Sequence, residues 1–215
     1  MKQYIYSNKI KLIILDLDGT LYPRDLYFNK YYDFTVKSLN RLFNFSSDDA
    51  IRILNNFGIS ADHSKDQESI SALIISLGMS IKDWNDYRDK NFNIESLVNP
   101  NKELVSYLKY LKRFYKIVIF TNNTKITSEK ILNRIGIFNE SIIDFLLTSD
   151  YGLELKPHKE GFEFIKVKFG LLFSEIVSIG DRESIDIKPL LDLGGNGILI
   201  SNPSELLEIE FNSKD

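Results

Sequence analysis

The chain has 215 residues, 43% of them hydrophobic and 27% charged, with a formal net charge of −3. That balance is ordinary for a globular protein, and the length suits one compact domain or a core carrying an inserted one. With no cysteine, disulfides, zinc–thiolate centres and cysteine nucleophiles are excluded, and without a basic block a nucleic acid polymer is not an expected partner.

Met1 to Lys9 lacks the apolar core of a signal peptide, and no run approaches the ~20 apolar residues of a membrane span. The expectation is a cytoplasmic protein without membrane association, a monomer or homodimer. The two histidines, His63 and His158, are too few for a histidine-rich metal centre. Ile10 to Leu15 is the first apolar run and reads as a buried parallel strand, because strands covered on both faces lose their alternation.

From Arg24 to Val98 the pattern changes to four amphipathic helices. They are Tyr27 to Phe43, Asp48 to Asn56 with Ser47 as cap, a third, and Ile81 to Asn91 with Ser80 as cap. In the third, Ile70, Leu73, Ile74 and Leu77 recur at helical spacing before Gly78. About 75 residues of helix exceed a simple crossover, so residues 24–98 read as an inserted helical domain and residues 1–23 with 99–215 as the core.

Beyond the insert, helices and strands alternate. Leu104, Leu108 and Leu111 share a helix face, with Asn99 and Pro100 as its start. Lys116 to Phe120 is the second strand, and Ile126 to Ile135 a helix ending at Gly136. Phe145 to Thr148, Ile176 to Ile179 and Gly197 to Ile200 are further strands. Gly161 to Phe169 and Ile185 to Leu193 are the helices between them. This alternation predicts an α/β fold, a Rossmann-like three-layer parallel sheet.

In such sheets the site lies beyond the C-terminal ends of the strands. There the sequence places Asp16-Leu17-Asp18-Gly19-Thr20, Thr121-Asn122-Asn123, Lys156-Pro157, and Gly180-Asp181-Arg182 with Asp186. Each residue type has a use in phosphoryl transfer. Asp16 can attack phosphorus, and Asp18 can protonate the leaving alcohol and then activate water. Asp16 and Asp181 can hold Mg²⁺ through oxygen, and Lys156 can neutralise remaining charge. The Thr121 hydroxyl and the amides after it can bind phosphate oxygens. Asn122 either contacts phosphate or shapes the turn with Asn123, while Gly19 permits a close turn. No Gly-x-Gly-x-x-Gly follows the first strand, so a dinucleotide site is not expected.

These four segments resemble the motifs of the haloacid dehalogenase (HAD) superfamily, and the resemblance covers nearly the whole chain. Asp-x-Asp-Gly-Thr alone arises by chance in about one chain in a thousand. The resemblance implies Asp16 as nucleophile, Asp18 as general acid/base whose backbone carbonyl also binds Mg²⁺, and Asp181 as a direct metal ligand. It implies Asp186 beside the metal ligands or orienting Lys156, and the helical insert as a C1 cap closing over substrate. Leu21-Tyr22-Pro23 is similar to the pyrimidine 5′-nucleotidase-like branch. The implied activity is Mg²⁺-dependent hydrolysis of a small phosphomonoester: a nucleotide, a sugar phosphate, or a polyol or amino-alcohol phosphate.

Other readings stand beside this one. Dehalogenases and phosphonatases of the superfamily depart at the position of Asp18, whereas a sugar phosphomutase keeps both acids. A non-catalytic binding protein would be expected to lose Asp16, Asp18 or Lys156. Thr121 can also cap a helix. His158 can serve as a second acid, line the mouth or cap the following helix, and His63 falls in a polar cap loop. Arg24, Arg52, Arg88 and Arg182 are candidate substrate contacts or structural partners. The aromatics Tyr22, Tyr27, Phe28, Tyr31, Tyr32 and Phe34 can stack on a base, or form the cap core.

Overall fold

The computed structural model describes residues 1–7, 9–61, 70–138 and 141–211. Its strands are β1 (Lys2–Tyr4), β2 (Leu12–Leu15), β3 (Lys116–Phe120), β4 (Phe145–Leu147), β5 (Ile176–Gly180) and β6 (Asn196–Leu199). Its helices are α1 (Arg24–Phe43), α2 (Ser47–Asn56), α3 (Ile70–Ser76), α4 (Ile81–Asn91), α5 (Lys102–Leu111), α6 (Lys125–Ile135), α7 (Glu160–Phe169) and α8 (Lys188–Leu191). The chain divides into two compact units, Met1–Arg24 with Val98–Asp215, and Asp25–Leu97.

The first unit is built on a six-stranded sheet in the order β1-β6-β5-β2-β3-β4. Strands β2 to β6 run parallel, and β1 closes one edge antiparallel to β6, Lys2 facing Leu199. Sequence reading did not anticipate β1. Its three residues, Lys-Gln-Tyr, carry no apolar run, and backbone pairing to an edge strand needs none.

The central strands β2, β3 and β5 are almost wholly buried, as helices on both faces of a parallel sheet require. Leu12, Ile14, Val118, Phe120, Phe162, Ile165 and Leu190 form one such core cluster. β2 lies in the middle, hydrogen-bonded to β3 on one side and β5 on the other. Residues after these three strands therefore emerge side by side.

Several helix starts lie a residue or two from where sequence places them. Asn101, rather than Asn99 or Pro100, caps α5 by accepting from the Leu104 amide. Ser46, rather than Ser47, caps α2 by accepting from the Asp49 amide. Where neighbouring serines or asparagines are all competent caps, the one whose backbone is extended at the first turn takes the role. The expected helix Ile185–Leu193 is a wide π-type turn, Glu183–Ile187, followed by the short α8.

The second unit, Asp25–Leu97, is helical. Trp84, Ile74, Leu54 and Leu39 are fully buried in it. Its aromatics pack on each other: the Tyr27 and Tyr31 rings stack at 5.0 Å, and Phe34 lies 5.0 Å from Phe92 and 6.0 Å from Trp84. Tyr27, Phe28, Tyr31 and Tyr32 are buried core residues. Arg88 is buried with them, its guanidinium held by Asp89 at 3.3 Å, and Arg52 pairs with Asp49 on the surface. His63 lies outside the described residues.

Candidate active site

The loop after β2 turns sharply. Asp16 ends the strand's pairing by donating its amide to the Ile179 carbonyl at 3.0 Å. The Leu21 amide then returns to the Leu17 carbonyl at 3.0 Å, and the Gly19 amide to the Tyr22 carbonyl at 3.1 Å. Gly19 has φ of +82°, and a Cβ there would stand 2.3 Å from Asp181 Oδ2. Glycine is required twice over, for the left-handed turn and for the approach of the Asp181 carboxylate.

Lys156 crosses to this loop from the segment before α7. Its Nζ donates to Asp16 Oδ1 and to Asp186 Oδ1, both at 2.6 Å. All three side chains are buried, so this is a fully desolvated carboxylate–ammonium–carboxylate array. Asp186 also accepts from the Arg182 amide at 3.1 Å through Oδ2. Both of its oxygens are thereby engaged. Gly180 makes room for it, since a Cβ there would meet Asp186 Cβ at 2.3 Å.

The electrostatics follow from burial. The Asp16 carboxyl is pushed up to about 7, first by burial and then by Asp186, against the pull of Lys156. Asp181 rises to about 6, first by burial and then by Asp186, against Arg182 and Arg24. Burial pulls the Lys156 ammonium down, but Asp16 and Asp186 outweigh it and hold it above its ordinary value. Arg24 Nη1 stands 3.7 Å from Asp181 Oδ2, and Arg182 Nε 4.0 Å from Asp181 Oδ1.

Asp16, Asp181 and Asp186 each bring a carboxylate oxygen within 4.8 Å of the others. Among the buried side-chain atoms, Asp16 Oδ2 and Asp181 Oδ1 have no hydrogen-bond partner. Buried carboxylate oxygens left this way are costly without a cation. A hard divalent ion ligated by oxygen fits that donor set, with Asp16 and Asp181 as side-chain ligands and Asp186 occupied elsewhere.

The residues after β3 behave differently from one another. Thr121 is buried, and its Oγ1 accepts from the Asn123 amide at 3.2 Å. The cap of α6 is Thr124, which accepts from the Thr127 amide. The Asn122 side chain is consumed by the Lys156 backbone. It donates to the Lys156 carbonyl and accepts from the Lys156 amide, each at 2.9 Å. This side chain ties down the segment that carries Lys156. Asn123 Nδ2 donates to Asp18 Oδ2 at 2.7 Å.

His158 is exposed and lies 3.0 Å from Glu154; α7 has no side-chain cap. Tyr22 is buried in the first unit, and its hydroxyl donates to Asp18 Oδ1. By residue type alone, Asn123 is a turn residue and Tyr22 one of a run of aromatics. The signal that both serve Asp18 is tertiary in one case and a four-residue side-chain contact in the other.

The chain is 29% identical over 195 residues to the glyceraldehyde 3-phosphate phosphatase of Methanocaldococcus jannaschii, covering 86% of this chain and 82% of that protein. A HAD phosphatase from Thermococcus onnurineus superposes with a TM-score of 0.62 at 19% identity, covering 89% of this chain and 86% of the other. A predicted phosphoglycolate phosphatase from Haemophilus somnus 129PT gives 0.59 at 20% identity, over 92% and 87%. Those two likenesses show the fold. The family profile of haloacid dehalogenase-like hydrolases matches residues 10–194. That match spans the core motifs and the helical insert alike, and the chain belongs to the haloacid dehalogenase-like hydrolases.

Proposed function

We propose that this hydrolase is a Mg²⁺-dependent phosphatase of a small phosphomonoester, acting through a phosphoaspartate, with the 24–98 insert as the cap that selects the leaving group. The observation that carries the reading is the buried Asp16–Lys156–Asp186 array beside one carboxylate oxygen on each of Asp16 and Asp181 that accepts no hydrogen bond. The 29% identity to a glyceraldehyde 3-phosphate phosphatase favours a short sugar or polyol phosphate over a nucleotide.

In this reading an Asp16 carboxylate oxygen forms a bond to phosphorus as the phosphorus–oxygen bond to the leaving group breaks. Asp18 gives its proton to the departing oxygen. The Asp18 carboxylate then takes a proton from water as the water oxygen bonds to phosphorus and the Asp16–phosphorus bond breaks, releasing inorganic phosphate. Thr121 and the amides beside it hold the phosphate oxygens, and Lys156 fixes the Asp16 rotamer. Asp16 and Asp181, with the Asp18 carbonyl that the family resemblance adds, would hold Mg²⁺. When bound, the ion offsets repulsion between the phosphate dianion and these acids.

The test is phosphate release from a panel of phosphomonoesters, led by glyceraldehyde 3-phosphate and other triose and polyol phosphates, with Mg²⁺ and with EDTA. Release that needs Mg²⁺ supports the reading. Absence of release from every compound, in folded protein that binds Mg²⁺, overturns it.

Metal binding and pH are expected to be linked. With carboxyls raised to about 7 and about 6, the two acids contribute stability that is fully present below their ordinary value near 4 and is lost as pH rises through 6 and 7. Metal-free protein should therefore lose thermal stability across that window. Mg²⁺ binds the deprotonated pair, so the increase in Tm it produces should grow from pH 5 to pH 8 and be worth about 2.7 kcal/mol at 100 times its dissociation constant. Thermal unfolding at a series of pH values, in EDTA and in Mg²⁺, reads both. A Mg²⁺ shift of the same size at pH 5 and pH 8 would contradict the assignment of Asp16 and Asp181 as ligands.

A further inference from the structure

Resting on the assignment of Asp18 as the acid/base, we infer that Tyr22 and Asn123 form a two-donor clamp that holds the Asp18 carboxyl at the leaving-group side of the site. Tyr22 is the principal positioning residue for leaving-group protonation. The clamp is built from both ends. The Tyr22 hydroxyl donates to Asp18 Oδ1, and Asn123 Nδ2 donates to Asp18 Oδ2 at 2.7 Å.

Both donors are themselves buried. Tyr22 is 3% exposed and Asn123 6%, whereas Asp18 is half-buried. The Gly19 amide bond to the Tyr22 carbonyl and the ladder-like pairing of Asp18 with Tyr22 bring the ring back over the loop that carries the acid. Asn123 Nδ2 also lies 3.3 Å from Thr121 Oγ1. One amide group thus bridges the acid and the hydroxyl assigned to phosphate, setting the distance between them.

The arrangement suits a group that must hand over a proton without drifting. An unclamped aspartate can hop between staggered χ1 wells and has a broad, two-fold χ2, and a displacement near 1 Å can cost about 100-fold in rate. Each carboxyl oxygen has two lone-pair directions. One on each oxygen is taken by the clamp, and a second remains to carry the proton to the departing oxygen. The donors constrain orientation while leaving that transfer available.

The clamp matters most when the leaving group needs a proton. Tyr22→Phe keeps the buried ring and removes one hydroxyl. Its kcat/KM, which reports formation of the phosphoenzyme, should fall about 10- to 100-fold for alkyl phosphates, short of the about 10²- to 10⁴-fold that losing general acid catalysis altogether costs. For 4-nitrophenyl phosphate, whose leaving group departs as a stable anion, the fall should stay below about 3-fold.

The experiment measures kcat/KM for wild type, Tyr22→Phe and Asp18→Asn across 4-nitrophenyl, phenyl and alkyl phosphates. It also records the Mg²⁺-induced shift in Tm for each protein. A loss in Tyr22→Phe that steepens with leaving-group basicity, with the Mg²⁺ shift retained, supports the clamp. A uniform loss across leaving groups in Tyr22→Phe, with a steep one in Asp18→Asn, overturns the inference and leaves the Asp18 assignment standing. A uniform loss in Asp18→Asn overturns the assignment itself. Should Tyr22→Phe fail to fold, Asn123→Ser tests the other arm of the clamp: the same leaving-group selectivity supports the inference, and a uniform loss removes it.

Discussion

Asp16→Asn is expected to lower phosphate release by about 10⁴-fold or more, the scale seen when a hydrolase loses its nucleophile, without lowering thermal stability. The two halves of that result have one cause. Asp16 sits at the end of β2 with its carboxyl pushed up to about 7 by burial and by Asp186. In metal-free protein above that pH its charge opposes folding. An asparagine keeps the shape and removes the charge, and Lys156 retains Asp186 at 2.6 Å. In EDTA at pH 8 the variant should unfold at or above the wild-type temperature, and its response to Mg²⁺ should be weakened. Parallel assays of phosphate release and thermal unfolding check this. Substantial activity in Asp16→Asn would remove the nucleophile assignment.

Lys156→Met should have the opposite effect on stability. Lys156 is the cation between Asp16 and Asp186 and is almost completely buried. Removing it leaves two buried carboxylates without their shared ammonium. Breaking a buried pair from one side costs about 3–5 kcal/mol, or a fall in Tm near 10 °C for a chain of this size at about 2–4 °C per kcal/mol. The loss should be larger at pH 8 than at pH 5, because acid conditions protonate the stranded carboxyls. The double variant Lys156→Met/Asp186→Asn should recover part of it, since the array acts as a unit. Thermal unfolding of the two single variants and the double variant closes the cycle. Additive losses would mean that the array is not coupled as its geometry requires.

Asn122 illustrates a limit of reading function from residue type. Its side chain is chemically able to hold a phosphate oxygen, and both of its polar ends also bond the Lys156 backbone, 34 residues away. Asn123, its neighbour, reaches Asp18 from the next strand's loop. Adjacent side chains on a turn point in different directions, so which of two asparagines faces the site depends on the turn's backbone. Tyr22 shows the same limit among aromatics: the Leu17–Tyr22 loop folds back on itself, and the ring's hydroxyl bonds Asp18.

What the sequence by itself determined is the alternation of buried strands with helices, the β2, β3, β4, β5 and β6 segments to within two residues at either end, and the set of strand ends that carry acids, a hydroxyl and a lysine. Those are local properties: apolar runs specify buried strands, and in a parallel sheet the shared chain direction brings the loops after the strands to one edge. Only the tertiary structure decided that a three-residue strand closes the sheet edge antiparallel, that Ser46 and Asn101 take the caps, and that Asp186 gives both oxygens to Lys156 and Arg182. It also decided which buried carboxylate oxygens accept no hydrogen bond. Such outcomes turn on backbone pairing and on hydrogen bonds between side chains distant in sequence. Their energies depend on burial and geometry, which no residue carries alone.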